Sequence, residues 1–395
     1  MRQNDIDAFF ALLRGGLWSN DNLNLDVDFD GVDWGEVYQL AEDQSVVGLV
    51  AAGIDYFKGR IPSFICPQEW VLQFIGQSLQ IEQQNSELNK FIRALFEKMR
   101  KADIYALLVK GQGIAQCYEK PLWRACGDVD LLLSGDNYKK AKALLLPMAS
   151  EVEPEGKYDQ HLGLTILETF GTSDQGRADG WVVELHGSLR SGLSARIDKV
   201  LDEVKKDLFY GGSVRSWNNG NTQVFLPSAD NDAVYIFTHI LQHFYKGGIG
   251  LRQICDWCRL LWTYRESLNY GLLESRIRKM GLMSEGRAFG VFAVEYLGMD
   301  AKAVPFLNLN DNANVNRRLK RKAERLKDFI MMSGNFGHNR DMSYYDKYPY
   351  LVRKVISLGR RCGDLFRHAR IFPLDSIRFS FWIMLNGVRS AMRGE

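Results

Sequence analysis

No stretch of this chain approaches the run of about 18 apolar residues that a membrane-spanning helix needs. The longest late candidate, Phe379 to Leu385, is far shorter. The opening MRQNDIDAFF is acidic and lacks the apolar core and small-residue cleavage site of an export signal, so a cytoplasmic protein is expected. Cysteine is scarce. Six residues, at 66, 117, 126, 255, 258 and 362, are scattered through 395, which suits reduced thiols better than a disulfide framework. Net charge is nearly absent at +2 and makes no overall demand for an anionic partner. Internal repeats and low-complexity tracts are missing too, which argues against a solenoid or a disordered chain.

What is present is an ordinary globular composition, 46% hydrophobic and 25% charged, in a chain too long for one ordinary core. The charges are segregated. Residues 1–60 carry eleven acids against four bases, and residues 316–395 carry eighteen bases against seven acids. Such patches solvate separate surfaces or face each other, unless the basic end meets an anionic ligand.

Helical periodicity covers residues 4–17 and 33–57, the second opening with Asp33 and Glu36 at capping-box spacing. Pro67 suits the first turn of a long helix to about Lys101, whose Leu88, Phe91, Ile92, Leu95 and Met99 recur at i, i+3, i+4 and i+7. The pattern then changes to short apolar runs at Tyr105–Val109, Val129–Leu133, Leu162–Phe170 and Trp181–Leu185, which read as strands, with a polar loop at 171–180. From about residue 228 helical periodicity returns, with Pro305 and the Asn-rich stretch 308–316 as a joint. The chain therefore divides into a helical N-terminal region (1–101), an α/β core (102–227) and a helical C-terminal domain (228–395). The fold class is α+β, with a small mixed sheet.

Chemistry concentrates on the core. In Asp128-Val129-Asp130 the two carboxylates project from one face of a strand, about 6.6 Å apart along the backbone, while Val129 turns into the core. Paired like charges are unfavourable unless a cation neutralises them, and Mg²⁺ takes oxygen ligands together with substrate phosphates. Upstream, Lys110-Gly111-Gln112-Gly113 closes a strand before a helix, where backbone N–H groups approach phosphate and Lys110 adds charge. Downstream, Glu184 interrupts Trp181-Val-Val-Glu-Leu185 and is either a third acid of the cluster or a solvent-facing strand residue.

The segments Leu108-Val-Lys-Gly-Gln-Gly-Ile-Ala-Gln-Cys-Tyr118 and Pro121-Leu-Trp-Arg-Ala-Cys-Gly-Asp-Val-Asp-Leu-Leu-Leu133 resemble a bacterial family of uncharacterised nucleotidyltransferases, in the polymerase-beta-like nucleotidyltransferase superfamily. The resemblance extends through His161, Glu184-Leu185-His186 and Thr238 to Asp256. It implies a Mg²⁺-dependent enzyme that moves a nucleoside monophosphate from an NTP to an acceptor hydroxyl by a two-metal mechanism. Asp128, Asp130 and Glu184 would be the catalytic and metal-holding residues, with Mg²⁺ or Mn²⁺. Lys110, Gly111, Gln112 and Arg124 would bind the nucleotide. The chain departs from the family pattern in having Gly111-Gln112 for Gly-Ser or Gly-Gly, seventeen positions from Gly111 to Asp128, and Glu for Asp at 184. The alternatives are a non-catalytic nucleotide-binding or scaffold protein on this fold, and an RNA-modifying transferase. The acceptor is not specified. Nucleic acid is not the favoured partner, and membrane-surface contact is not expected.

Several other residues admit two readings. Arg124 holds a phosphate or pairs with Asp128 or Asp130. His161 and His186 meet nucleotide or a proton in transit, or are satisfied structural groups. His239, His243, Cys255 and Cys258 have His₂Cys₂ zinc spacing, but they sit within apolar helical patterns where Cys behaves as a small hydrophobe. Arg252 and Asp256 are an i, i+4 pair. The arginines and aromatics from Arg360 to Trp382 pack on the protein's own body, or meet a membrane surface or nucleic acid.

Overall fold

The computed structural model describes residues 2–18, 27–155, 160–167, 180–307, 313–334 and 350–392. Four helices come first: α1 (Gln3–Trp18), α2 (Trp34–Asp43), α3 (Val47–Lys58) and α4 (Gln68–Lys101). Asp33 caps α2 by accepting from Gly35 N and Glu36 N, and Pro67 stands at the N-cap position of α4 without a capping hydrogen bond. The periodicity over 33–57 is broken into two helices. Val46 N donates to Ala41 O and Ser45 N to Glu42 O, with Ser45 at φ 55°. This is the Schellman arrangement, in which a left-handed residue ends the helix. Serine stands where glycine is usual, so the sequence carries no glycine stop signal. The buried Gln44 at the break donates to Ile330 O and accepts from Leu251 N, 3.1 and 2.9 Å away.

The sheet follows, from β1 (Ala106–Val109), β2 (Asp128–Leu133), β3 (Ala149–Val152), β4 (His161–Ile166) and β5 (Trp181–His186), in the order β1-β2-β5-β4-β3. Only β2 and β5 run parallel. The short helix α5 (Gly111–Ala115) follows β1, and α6 (Gly135–Leu145) starts at the Ser134 N-cap after β2. Next come α7 (Ala195–Tyr210) and a hairpin of β6 (Val214–Asn219) and β7 (Thr222–Pro227), with β7 lying against β1. Neither β3 nor the hairpin is anticipated from the sequence: β3 is a mostly exposed Ala-Ser-Glu-Val edge, and β6 is largely polar. Residues 168–170 and most of the 171–180 loop lie outside the described residues, as do 308–312 of the joint.

The C-terminal region is helical: α8 (Ala229–Lys246), α9 (Leu251–Thr263), α10 (Tyr270–Met280), α11 (Met283–Glu295), α12 (Ala313–Ser333), α13 (Tyr350–Ala369) and α14 (Pro373–Met392). Of the late aromatics, Phe372 and Phe379 are buried while Phe366 and Phe381 are exposed. No helix among the described residues is long and apolar enough to cross a membrane. The architecture is therefore a small mixed sheet flanked by N- and C-terminal helical regions.

Strand alternation places the two cores and the polar residues. Val129, Leu131, Leu133, Leu162, Leu164, Val183 and Leu185 face α4 and α6, packing on Leu88, Ile92, Leu95 and Leu145. The opposite face contributes Leu107, Val109 and Leu132 to a larger core shared by the N-terminal and C-terminal helices. Asp130 alternates with Val129 and Leu131, so it lies on this second face, toward α8 and α9.

Candidate active site

Strand register assembles the site. Asp130 on β2 lies beside Glu184 on β5, and His186 lies beside His161 on β4. Their side chains form one bonded chain. Lys110 Nζ and His186 Nε2 each sit 2.7 Å from Asp130 Oδ1. His186 Nε2 is also 3.3 Å from Glu184 Oε2, which lies 3.1 Å from His161 Nε2. Asp130 is 2% exposed and Lys110 is mostly buried, whereas Glu184 and His161 are more open.

Each charge answers another. Burial alone would raise Glu184, but hydrogen bonds from His161 and His186, with the Lys110 charge, hold its carboxyl far below the usual range. Burial would lower His186, yet its bonds to Asp130 and Glu184 raise it. Lys110 is raised in the same way: burial would lower it, but Asp130, together with Tyr235, Glu184 and Asp128, outweighs burial. Asp128 differs, because burial and then the Asp130 charge push its carboxyl up despite Lys110 and Arg252. The repulsion that the Asp-x-Asp pair implies is thus relieved at Asp130 by Lys110 and His186, and persists at Asp128.

Lys110 reaches Asp130 from unusual backbone. Its φ is 57° and ψ is −148°, a region costly for any residue with a Cβ, and Gly111 follows at φ 43°. This sharp turn ends β1 and aims the ammonium back across the sheet face. Gly111, Lys110 and Arg124 line a cavity of about 50 Å³ with Asp128, Asp130 and His239. That space suits a few water molecules or an ion, not a nucleoside triphosphate.

The remaining residues singled out in the sequence are placed differently. Gln112 turns out of the cavity: its side chain is 1% exposed and donates to Asn85 Oδ1 at 2.8 Å. Asn85 in turn donates to Leu122 O and Arg124 O. Arg124 forms a bidentate pair with Asp256, 2.6 and 3.0 Å, and Tyr118 OH donates to the same carboxylate. Its fork is therefore committed to α9, not to Asp128 or Asp130. Arg252 donates to Ala125 O. His239 and His243 meet each other at 2.9 Å, and burial lowers both, His243 to about 4. Cys255 and Cys258 are fully buried in the helical core, with thiols pushed up by burial. They do not join the two histidines as a zinc set.

Among the described residues, the group of three His, Cys, Asp or Glu side chains whose donor atoms converge is His161, Glu184 and His186, within 4.8 Å of one another. This His/Glu/His cluster is capable of coordinating a metal ion. The i, i+2 spacing of Glu184 and His186 puts them on one strand face and is legible in the sequence. The participation of His161 depends on pairing with a strand some twenty residues away.

A family model described as uncharacterised nucleotidyltransferase matches residues 30–298, spanning α2 through α11 and the whole site. The chain belongs to this nucleotidyltransferase family, within the polymerase-beta-like superfamily. No curated protein and no solved structure matches it. The family match runs past the sheet into α8 and α9, the helices that roof the cavity.

Proposed function

We propose that the protein transfers a nucleoside monophosphate from an NTP to an acceptor hydroxyl, with Mg²⁺ held by Asp128, Asp130 and Glu184. The observation that carries this reading is the register of β2 against β5, which sets Asp130 beside Glu184 on the face toward the cavity. When bound, Mg²⁺ would neutralise triphosphate charge and lower the pKa of the attacking hydroxyl. The acceptor oxygen bonds to the α-phosphorus, its proton is lost to solvent, and pyrophosphate leaves.

The chain's own residues then have distinct tasks. Asp128 and Asp130 position the cation. Glu184, held far below the usual carboxylate range, is a poor proton acceptor and a good anionic ligand. Lys110 neutralises Asp130 in the resting site, and it can turn its charge to a phosphate oxygen once Asp130 is otherwise engaged. The backbone of Gly111 leaves room for close phosphate approach. Arg124 holds the β1–β2 connection against α9 through Asp256, so its part is positioning.

The test is incubation with each labelled NTP, Mg²⁺ and cell extract. One NTP should label an acceptor, and Asp130→Asn should reduce labelling by at least about 100-fold. Glu184→Gln should cut turnover by a similar factor while NTP affinity falls less. Wild-type turnover in Glu184→Gln would remove that residue from the site. NTP binding without label transfer would make the protein a nucleotide binder.

A further inference from the structure

We infer that the Glu184 end of the site is a mixed imidazole–carboxylate position for a transition-metal dication of the Zn²⁺ class, with His161, Glu184 and His186 as its ligands. The position shares Glu184 with the proposed transfer site, but its existence does not depend on transfer.

Three observations support it. The first is spacing. Metal–ligand bonds of 2.0–2.1 Å at tetrahedral angles put neighbouring donors about 3.3–3.4 Å apart. The Nε2 atoms of His161 and His186 lie 3.1 and 3.3 Å from Glu184 Oε2. Two of the three donor–donor distances are thus nearly the edge lengths of a coordination tetrahedron, and the third, between the two imidazoles, lies within 4.8 Å and closes as the rings turn toward a shared ion. The second is rigidity. All three residues stand on β4 and β5, with His161 and His186 directly opposite in register and their rings 4.8 Å apart. The donors are fixed by strand pairing, with no loop to be ordered.

The third is the donor type. Mg²⁺ demands oxygen ligands in octahedral geometry, whereas imidazole suits Zn²⁺ and its neighbours. Three protein ligands with side chains 13–29% exposed leave a fourth position open to solvent or phosphate, the pattern of a reactive site and not a closed structural one. Uptake would also be locally conservative. His186 Nε2 would leave Asp130 Oδ1, but Lys110 Nζ already holds that oxygen at 2.7 Å, so Asp130 keeps a partner. The two halves of the site then differ chemically: oxygen donors at Asp128 and Asp130, nitrogen-rich donors beyond Glu184.

Co²⁺ titrated into the chelator-treated full-length protein reports the ligands through its visible d–d absorption. Strong bands typical of a four- or five-coordinate site should appear, should be removed by equimolar Zn²⁺ and should resist a large excess of Mg²⁺. His161→Ala should abolish them and weaken Zn²⁺ binding at least about 100-fold. His161→Asn, which keeps a polar side chain, guards against misfolding and should give the same loss with an unchanged circular dichroism spectrum. Asp128→Asn removes an oxygen donor outside the cluster and should leave the bands in place. Weak, octahedral-type absorption, displacement by Mg²⁺, or bands that survive in the histidine variants would overturn the inference and reduce the cluster to a hydrogen-bonded triad. Co²⁺ bands without label transfer would overturn the transfer reading alone.

Discussion

Asp128 and Asp130 look equivalent in the sequence, yet their surroundings oblige them to respond oppositely to the same substitution. Asp130 is held by Lys110 and His186, so Asp130→Asn strands the buried Lys110 without its counter-charge. Breaking such a pair costs on the order of 3–5 kcal/mol. Asp128 carries the unrelieved repulsion, and burial and the neighbouring charge raise its carboxyl. Asp128→Asn should therefore leave the metal-free protein as stable as wild type or slightly more so. The sign with pH follows from the raised value. The unfolded carboxyl ionises near 3.8 while the folded one lags behind, so the wild type should lose ground to Asp128→Asn as pH rises above that value and through the folded pKa. Urea denaturation of both variants at two pH values in chelator checks the pair. Equal destabilisation would mean that Lys110 does not discriminate between the aspartates.

Elements are held by contacts of two kinds, both testable away from the candidate site. Helices α1 and α3 approach so closely that a methyl group on Gly53 would overlap the Leu12 carbonyl, and one on Gly16 the Leu49 carbonyl. Gly53→Ala should cost roughly 1–3 kcal/mol by forcing the helices apart, despite alanine's better helix propensity. Urea midpoints measure it, and a stabilised Gly53→Ala would refute the close packing. Helices α8 and α11 meet through Tyr245 OH and Glu285 Oε1, 3.0 Å apart. Burial, then the nearby Asp375 charge, raises Glu285 to about 8, so it enters the fold protonated at neutral pH. Below about 4.5 the folded and unfolded carboxyls are both protonated; from there to about 8 only the unfolded one ionises. The advantage of Glu285→Gln over wild type should grow across that window and level off above it, reaching at most about 5 kcal/mol. Parallel denaturation curves from pH 4 to 9 would expose a flat difference if Glu285 stays ionised.

Elements with a strong internal period were legible beforehand. The i, i+3, i+4 apolar positions of α4 become its buried face, and the apolar runs around Leu108, Leu131, Leu164 and Val183 become four neighbouring strands. The polar edge strand β3 and the hairpin β6–β7 were not, because their stability comes from the strands and helices they cover. The site divides the same way. Asp128, Asp130 and Glu184 are visible as acids interrupting apolar strands. Lys110's pairing with Asp130, Arg124's with Asp256 and His161's with Glu184 are long-range facts of register and packing that no local pattern encodes.

At the scale of the molecule, the sheet and the C-terminal helices are joined by charge as well as by apolar packing. Arg124 and Asp256 are both buried, and burial would lower the arginine's pKa if Asp256 did not raise it further. Asp256→Asn leaves that guanidinium unpaired and should cost on the order of 3–5 kcal/mol. Adding Arg124→Met should recover much of the loss, because an apolar replacement removes the stranded charge. Thermal denaturation of the two single variants and the double variant measures the coupling, and strict additivity would show that the two residues act independently.

The larger core unites residues that lie far apart along the chain. Trp18 Nε1 bonds Leu297 O, and Gln44 bridges Leu251 and Ile330, while Phe9, Leu12 and Ile54 share one core with Phe237, Phe289 and Phe329. A ribosome adding about 5–20 residues each second therefore makes residues up to 60 roughly 10–60 s before the partners near residue 330 emerge. Throughout that interval the apolar faces of α1 and α3 have α2 and α4 against them but lack the part of their cover that the C-terminal helices supply. Slowing translation should therefore lengthen that exposure and lower the yield of folded protein.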